Sequence, residues 1–283
     1  MTRIAIVTDT ISCLPAEVVK RYDIKVVPVG LVIDKKLYLD NEITNEEFWK
    51  LFKSTREPVT TNAANPADFE KVFQELAAYT QDICCILVSK KLSATYNAAV
   101  SAKEVLKQNR PSLNIEVIDS GTAAGGEGFV VWEAARAALA GKSLTEVVEV
   151  IHGMIPRVKL LCTLSTLKYL IRSGRAPNTA RIGNWLQIKP ILGMVSGTGL
   201  VENLGRERGM DRSIAKMVEM VADYTSPGKP LHVMAHYTDG VALAEKIRDL
   251  MLSRYNCSEI MLIPYTPVIA SQTGPLAAIT FYS

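Results

Sequence analysis

The chain has 283 residues, 48% of them hydrophobic and 22% charged, which is the balance of a folded globular protein with room for two medium domains and excludes a disordered one. Its 32 basic and 29 acidic side chains leave a net charge of +3, too small to imply nucleic acid or an anionic membrane as the default partner. The opening run MTRIAIVTDT is broken at Asp9 and does not read as a signal peptide, and no stretch approaches the roughly 20 apolar residues of a membrane span.

In chain order, residues 4–7 read as a buried strand and 15–22 as a short helix after a Thr/Ser-rich turn. Residues 24–33 are β-branched but contain Pro28, which places them at a sheet edge or at a bend. Thr44 and Glu47 have capping-box spacing for a helix reaching Lys53. The clearest helix follows: Asn65 suits its cap, Pro66 its first turn, and Phe69, Val72, Phe73, Leu76 and Ala77 share one face.

A strand at 83–88, a helix at 94–108, a strand at 115–118 and helices at 128–140 and 144–155 continue the alternation. That pattern predicts a mainly parallel sheet with helices on both faces. Beyond about residue 157 it changes. Strands at 160–164, 231–237, 260–264 and 278–282, a hairpin around Ser196-Gly197-Thr198-Gly199, and helices at 167–171, 210–224 and 240–254 read as α+β. The expected architecture is therefore an α/β protein of two domains, 1–157 and 158–283.

Several chemical signatures fail on inspection. Gly141-Lys142-Ser143 lacks the Gly that a phosphate-binding loop needs at position 136, which is Arg. Gly125-Gly126-Glu127-Gly128 is not GxGxxG, and there is no GxSxG. Of three histidines, His232 and His236 share a strand face, but no third ligand stands at useful spacing, so neither a metal nor a cofactor is expected. Arg172, Arg175 and Arg181, with Pro177 and Asn178, form a basic loop without interleaved aromatics. A solvated face or an anion handle suits it better than a nucleic-acid contact. Five scattered cysteines without CxxC spacing fit free thiols in a reducing cytoplasm.

What remains is a set of hydroxyl clusters, three of which follow strands of one sheet: Thr8-Asp9-Thr10-Ile11-Ser12, Ser89 to Tyr96, and Asp119-Ser120-Gly121-Thr122. A fourth, Thr60-Thr61-Asn62, precedes the best-capped helix. Singly each is a turn or cap. Converging, they make a site for one carboxylate or phosphate, with helix-terminal N–H groups assisting.

At these residues the chain resembles the DegV family of fatty-acid-binding proteins. The similarity rests on Val7-Thr8-Asp9-Thr10-Ile11-Ser12-Cys13-Leu14-Pro15, Val59 to Pro66, Leu92-Ser93-Ala94-Thr95-Tyr96-Asn97-Ala98-Ala99, Val117-Ile118-Asp119-Ser120, Leu167 to Arg175, and Ile188-Lys189-Pro190-Ile191-Leu192. These segments occur in the family's order over nearly the whole length. The resemblance implies a non-catalytic protein that holds one long-chain fatty acid in a ligand cleft between the two domains and presents it to a separate kinase for phospholipid synthesis, with transient membrane contact. It implies that Thr61 and Ser93, with Asn62, Ala94 and the N–H groups after Ser93, bind the carboxylate. Arg208, Gln272, Thr95 and Ser120 are implied as head-group neighbours, with Arg206 the alternative for the family's arginine.

The chain departs from the family at Asn62, Ala63, Ala64 and Ala94, and at Gln272, where the family has His. Gln can hydrogen-bond but cannot become cationic. The competing expectation is an enzyme using the same hydroxyl pocket on a phosphorylated or carbonyl substrate, with Asp9 or Asp119 as base. Candidate apolar lining residues are Ile11, Leu92, Leu164, Ile171, Ile191 and Ile269.

Overall fold

The computed structural model describes residues 4–177 and 187–283. The strands β1 (Ala5–Asp9), β2 (Lys25–Val27), β6 (Asp82–Leu87) and β7 (Asn114–Asp119) form a parallel sheet in the order β2-β1-β6-β7. This is the parallel sheet that the alternation of strand and helix predicts. The segment 24–33 is not one strand. β2 ends before Pro28 as the edge of the parallel sheet, and β3 (Gly30–Ile33) begins a second, antiparallel sheet with β4 (Lys36–Leu39) and β5 (Thr60–Asn62). Proline has no N–H for a ladder, so the chain changes sheets there.

Beyond residue 158, β8 (Lys159–Leu164), β9 (Ile188–Met194), β10 (Glu202–Arg208), β11 (Leu231–Tyr237), β12 (Cys257–Pro264) and β13 (Leu276–Tyr282) form one sheet in the order β10-β9-β8-β13-β11-β12. It is antiparallel except for the β11–β12 pair. The last strand, β13, sits in its interior between β8 and β11 and is buried along its whole length.

The helices start where local chemistry places them. α2 (Asn45–Ser54) has the Thr44–Glu47 capping box, and α3 (Pro66–Leu76) is capped by Asn65 and reciprocally by Asp68. α5 (Gly125–Leu139) and α6 (Leu144–Met154) are separated by Gly141 and a capping box from Ser143 and Glu146. The Gly-Lys-Ser triplet is thus a helix end followed by a helix start.

α5 is the centre of the molecule. Phe129, Val130, Val131 and Ala134 lie in one apolar core with Ile6, Cys84 and Ile86 of the parallel sheet and Leu160, Leu164, Leu192 and Ala278 of the large sheet. The glycines at its start serve packing rather than phosphate binding: a Cβ on Gly128 would come within 2.5 Å of the Ser12 carbonyl oxygen. A separate core joins Leu31, Ile33, Phe48, Trp49 and Val59 to Val268 and Ala270 of α10 (Pro267–Thr273). Hydrogen bonds from Trp49 Nε1 to the Thr238 carbonyl (2.8 Å) and from Val268 N–H to Asp40 Oδ1 (2.9 Å) tie this small sheet and α2 to the second half of the chain.

Candidate functional site: an apolar cavity with a polar wall

A cavity of about 570 Å³ lies between the two halves, within the size range of small-molecule sites. β8 presents alternate residues to it: Leu160, Cys162 and Leu164 line the cavity, while Thr163 points away to the Ser213 hydroxyl. Ile11, Val29, Val88, Ala123 and Ala124 come from the first half, and Met194, Val201, Val268, Ile269 and Leu276 from the second. Four of the six expected apolar residues line it, namely Ile11, Leu92, Leu164 and Ile269. Ile191 points to the opposite face of its sheet, where it packs with Ile214 and Met217, and Ile171 is 37% exposed.

The polar part of the wall contains Thr61, Ser93, Ala94, Asn97, Lys90, Lys91, Arg175, Gln272 and Thr273. On β5, Thr61 is half-buried whereas its neighbours Thr60 and Asn62 are exposed, the alternation of a strand edge. Asn62 is therefore outside the wall. Ser93 stands one residue before the cap of α4 (Thr95–Asn109), which is Ala94. Its Oγ accepts from the Thr95 N–H at 3.3 Å and lies 2.8 Å from Thr95 Oγ1. The Ala98 N–H bonds the Ala94 carbonyl, which leaves the N–H groups of Tyr96 and Asn97, in the first turn, without an intrahelical acceptor.

Thr95 is fully buried behind Ser93, and Ser120 is fully buried in its own turn, bonded to the Thr122 backbone. Neither lines the cavity. Arg208 ends the edge strand β10, is exposed, and donates to Gln187 Oε1 at 2.8 Å. It too lies outside the lining, as does Arg206.

The arginine in the wall is Arg175. α7 (Lys168–Arg172) ends at Ser173, and Gly174 with φ +75° turns the chain back, a conformation that glycine adopts without strain. Arg175 Nε then donates to the Leu92 carbonyl at 2.9 Å and Nη1 to Gln272 Oε1 at 2.8 Å. These bonds join the loop carrying Ser93 to α10 across the cleft. Burial lowers the Arg175 pKa from its ordinary value, but guanidinium remains charged at any physiological pH. Of the basic loop read as a solvated face or an anion handle, Arg175 stands in the cavity wall, and the glycine directly before it marks the turn that brings it there. The Arg181 and Asn178 part of that loop lies outside the described residues.

The two aspartates weighed as bases face backbone instead. Asp9 Oδ1 accepts from the Ile11 N–H at 2.7 Å, and burial pushes its pKa up to about 7. Asp119 Oδ1 accepts from the N–H groups of Gly121 and Lys90 at 2.9 and 3.3 Å. Neither lines the cavity. Burial drives the His236 pKa down to about 3, and its Nε2 lies 3.3 Å from Thr280 Oγ1. Among the described residues no group of three or more His, Cys, Asp or Glu side chains could hold a metal, and no helix is long and apolar enough to cross a membrane.

The fold and site together define a two-lobed α/β protein with a largely apolar cavity and one polar, cationic stretch of wall. The family model described as "Uncharacterised protein, DegV family" matches residues 3–283. This chain belongs to the DegV family. It is 33% identical over its full length to a DegV domain-containing protein of Caldanaerobacter subterraneus subsp. tengcongensis, covering 99% of that protein. A solved fatty-acid-binding DegV family protein from Thermus thermophilus superposes with a TM-score of 0.90 at 28% identity, over 99% of both chains. The fatty acid kinase B3 protein of Streptococcus pneumoniae, solved loaded with linoleic acid, shares the fold with a TM-score of 0.86 at 19% identity, over 100% of this chain and 99% of that one.

Proposed function

We propose that this chain is a non-catalytic carrier of one long-chain fatty acid, made of an N-terminal unit over 1–157 and a C-terminal unit over 158–283 that close on the acyl chain. The observation that carries the reading is the cavity itself, with apolar walls from both halves and Thr61, Ser93 and Arg175 in its polar part. Each buried methylene contributes about 0.8 kcal/mol, so ten or more give roughly 8 kcal/mol before ordering costs. The polar groups give the carboxylate partners it would otherwise lose on leaving water. The Thermus thermophilus relative, solved as a fatty-acid-binding protein, supports the ligand class.

Presentation of the bound acid to a separate kinase in the cytoplasm completes the proposal. The support for that step is the family resemblance alone. The engagement of Asp9 and Asp119 with backbone N–H groups, away from the cavity, weighs against the enzyme reading.

Organic extraction of the purified protein followed by mass spectrometry tests the carrier. Stoichiometric release of a long acyl chain is the expected result. Protein that releases none, and that takes up no fatty acid when delipidated and reloaded, would end it.

A further inference from the structure

α10 supplies Val268, Ile269, Gln272 and Thr273 to the wall of the acyl cavity, yet little in its own sequence starts it. Seven residues are too few for a helix to be stable by itself. Pro267 has no N–H, and the Thr266 side chain makes no cap bond to the helix. The cap comes from the other half of the chain. Asp40 Oδ1 accepts from the Val268 N–H at 2.9 Å, between residues 228 positions apart. The Thr266 hydroxyl is bonded to the same carboxyl instead of to its own helix.

Asp40 is fixed in turn to the first half. Its N–H donates to the Val29 carbonyl at 2.9 Å. The Thr10 hydroxyl bonds the Asp40 carboxyl, and Thr10 Oγ1 accepts from the Val29 N–H at 3.2 Å. Val29 and Ile11, the residue after Thr10, line the same cavity as α10. One carboxyl, 5% exposed, thus joins wall residues from both halves. Val268 and Ala270 also pack on Leu31, Ile33 and Phe48, but apolar contact is non-directional, whereas the hydrogen bonds fix the start of the helix. The cap is at the same time a contact between halves, so α10 keeps it only while the halves stay closed.

We propose that Asp40 is a positioning residue of the acyl site: by capping α10 from the opposite half, it holds that helix as a closed wall of the cavity and sets how firmly the acyl chain is retained. The identity of the retained chain rests on the carrier reading; the clamp on α10 does not.

The test compares the full chain with its Asp40→Ala and Asp40→Asn variants. Hydrogen exchange of peptides covering 266–273 reads the helix, and dissociation of a fluorescent fatty acid reads retention. Asp40→Ala is expected to raise exchange in α10 by about tenfold, with α3 unchanged, and to speed release by a similar factor. Asn keeps an acceptor for the Val268 N–H and can donate to the two hydroxyls, so Asp40→Asn is expected to restore both readouts to near the parent values. Phe73→Leu, which thins a separate core, is the control for lowered stability alone and should leave release as it is. Should Asp40→Ala not fold, Thr266→Val removes one bond of the clamp and is expected to raise α10 exchange severalfold. Unchanged α10 exchange in the clamp variants, release no faster than in Phe73→Leu, or release from Asp40→Asn as fast as from Asp40→Ala would overturn the proposal. A parent chain that binds no fatty acid would instead sink the carrier reading, and α10 exchange would still decide the clamp.

Discussion

Arg175 Nη1 donates a 2.8 Å hydrogen bond to Gln272 Oε1, so the cation in the cavity wall is held by a neutral partner. Its other acceptors, the carbonyls of Leu92 and Ser173, are neutral as well. Among the described residues no carboxylate forms an ion pair with it, which leaves its charge available to an anionic ligand. At position 272 this chain therefore has an amide that orients an arginine.

Arg175→Gln is expected to weaken fatty-acid binding by roughly tenfold or more, since a hydrogen bond to a charged group contributes about 1.5–3 kcal/mol. Binding of the fatty alcohol of equal length should change little. Gln272→Glu supplies an internal carboxylate to the same guanidinium and should also depress fatty-acid affinity. Displacement of a fluorescent fatty acid, run in parallel with the alcohol, checks both variants. Equal losses for acid and alcohol would mean that Arg175 acts through packing.

Ser93→Ala and Thr61→Ala should each reduce fatty-acid affinity, by roughly fivefold to a hundredfold for the loss of about 1–3 kcal/mol at a buried acceptor. Ser93→Ala also removes the acceptor of the Thr95 N–H, so its denaturation midpoint should fall slightly, whereas Thr61 has no such bond to lose. The two variants thus separate ligand binding from helix-start stability. Unchanged affinity in both would remove the hydroxyls from the site.

Much of this architecture is written in local chemistry. The Thr44–Glu47 box, the Asn65 cap and the helix face of Phe69 and Phe73 are short-range features, and each sits in the fold where its pattern places it. Pro28 marks the chain's passage from one sheet to another. The seven residues of α10 are not legible in the sequence, because Pro267-Val268-Ile269-Ala270 is too short for a helical period and only Thr266-Pro267 signals its start. The choice between Arg175 and Arg208 depends on long-range placement. Arg208 ends an edge strand and faces outward, while Gly174 turns Arg175 inward, and neither outcome shows in a linear arginine pattern.

Cys162 has its side chain in the acyl cavity, on β8 between Leu160 and Leu164. Burial pushes its thiol up to about 12, so it behaves as a small apolar side chain and not as a nucleophile. Cys162→Phe projects a ring into the slot and should shift the extracted acyl chains toward shorter lengths. Overpacking of this kind costs about 1–3 kcal/mol of stability where the core cannot yield; an empty cavity lets much of the ring in without that strain. Mass spectrometry of the extracted lipid reads the shift, and an unaltered length profile would place the tail elsewhere.

Buried acids set the pH dependence of stability. Burial raises Asp9 from 3.8 to about 7 and Asp40 to about 6, and holds Glu127, whose Oε1 receives the Thr8 hydroxyl at 3.0 Å, well above its ordinary value. A group with a raised folded-state pKa binds its proton more tightly when folded, so its stabilising contribution is complete below the unfolded pKa and is lost as pH rises through the folded one. His236 acts in the opposite sense: its pKa falls from 6.5 to about 3 in the fold, so its contribution is present above 6.5 and is lost as pH drops. Three acids against one histidine give a net fall in stability between about pH 4 and 7. Denaturant midpoints measured across that range should decline with rising pH, and Asp9→Asn should flatten the decline, because the amide keeps the oxygen that accepts from Ile11 and removes the titration. A steeper decline in that variant would mean that Asp9 is ionised in the folded protein throughout the range.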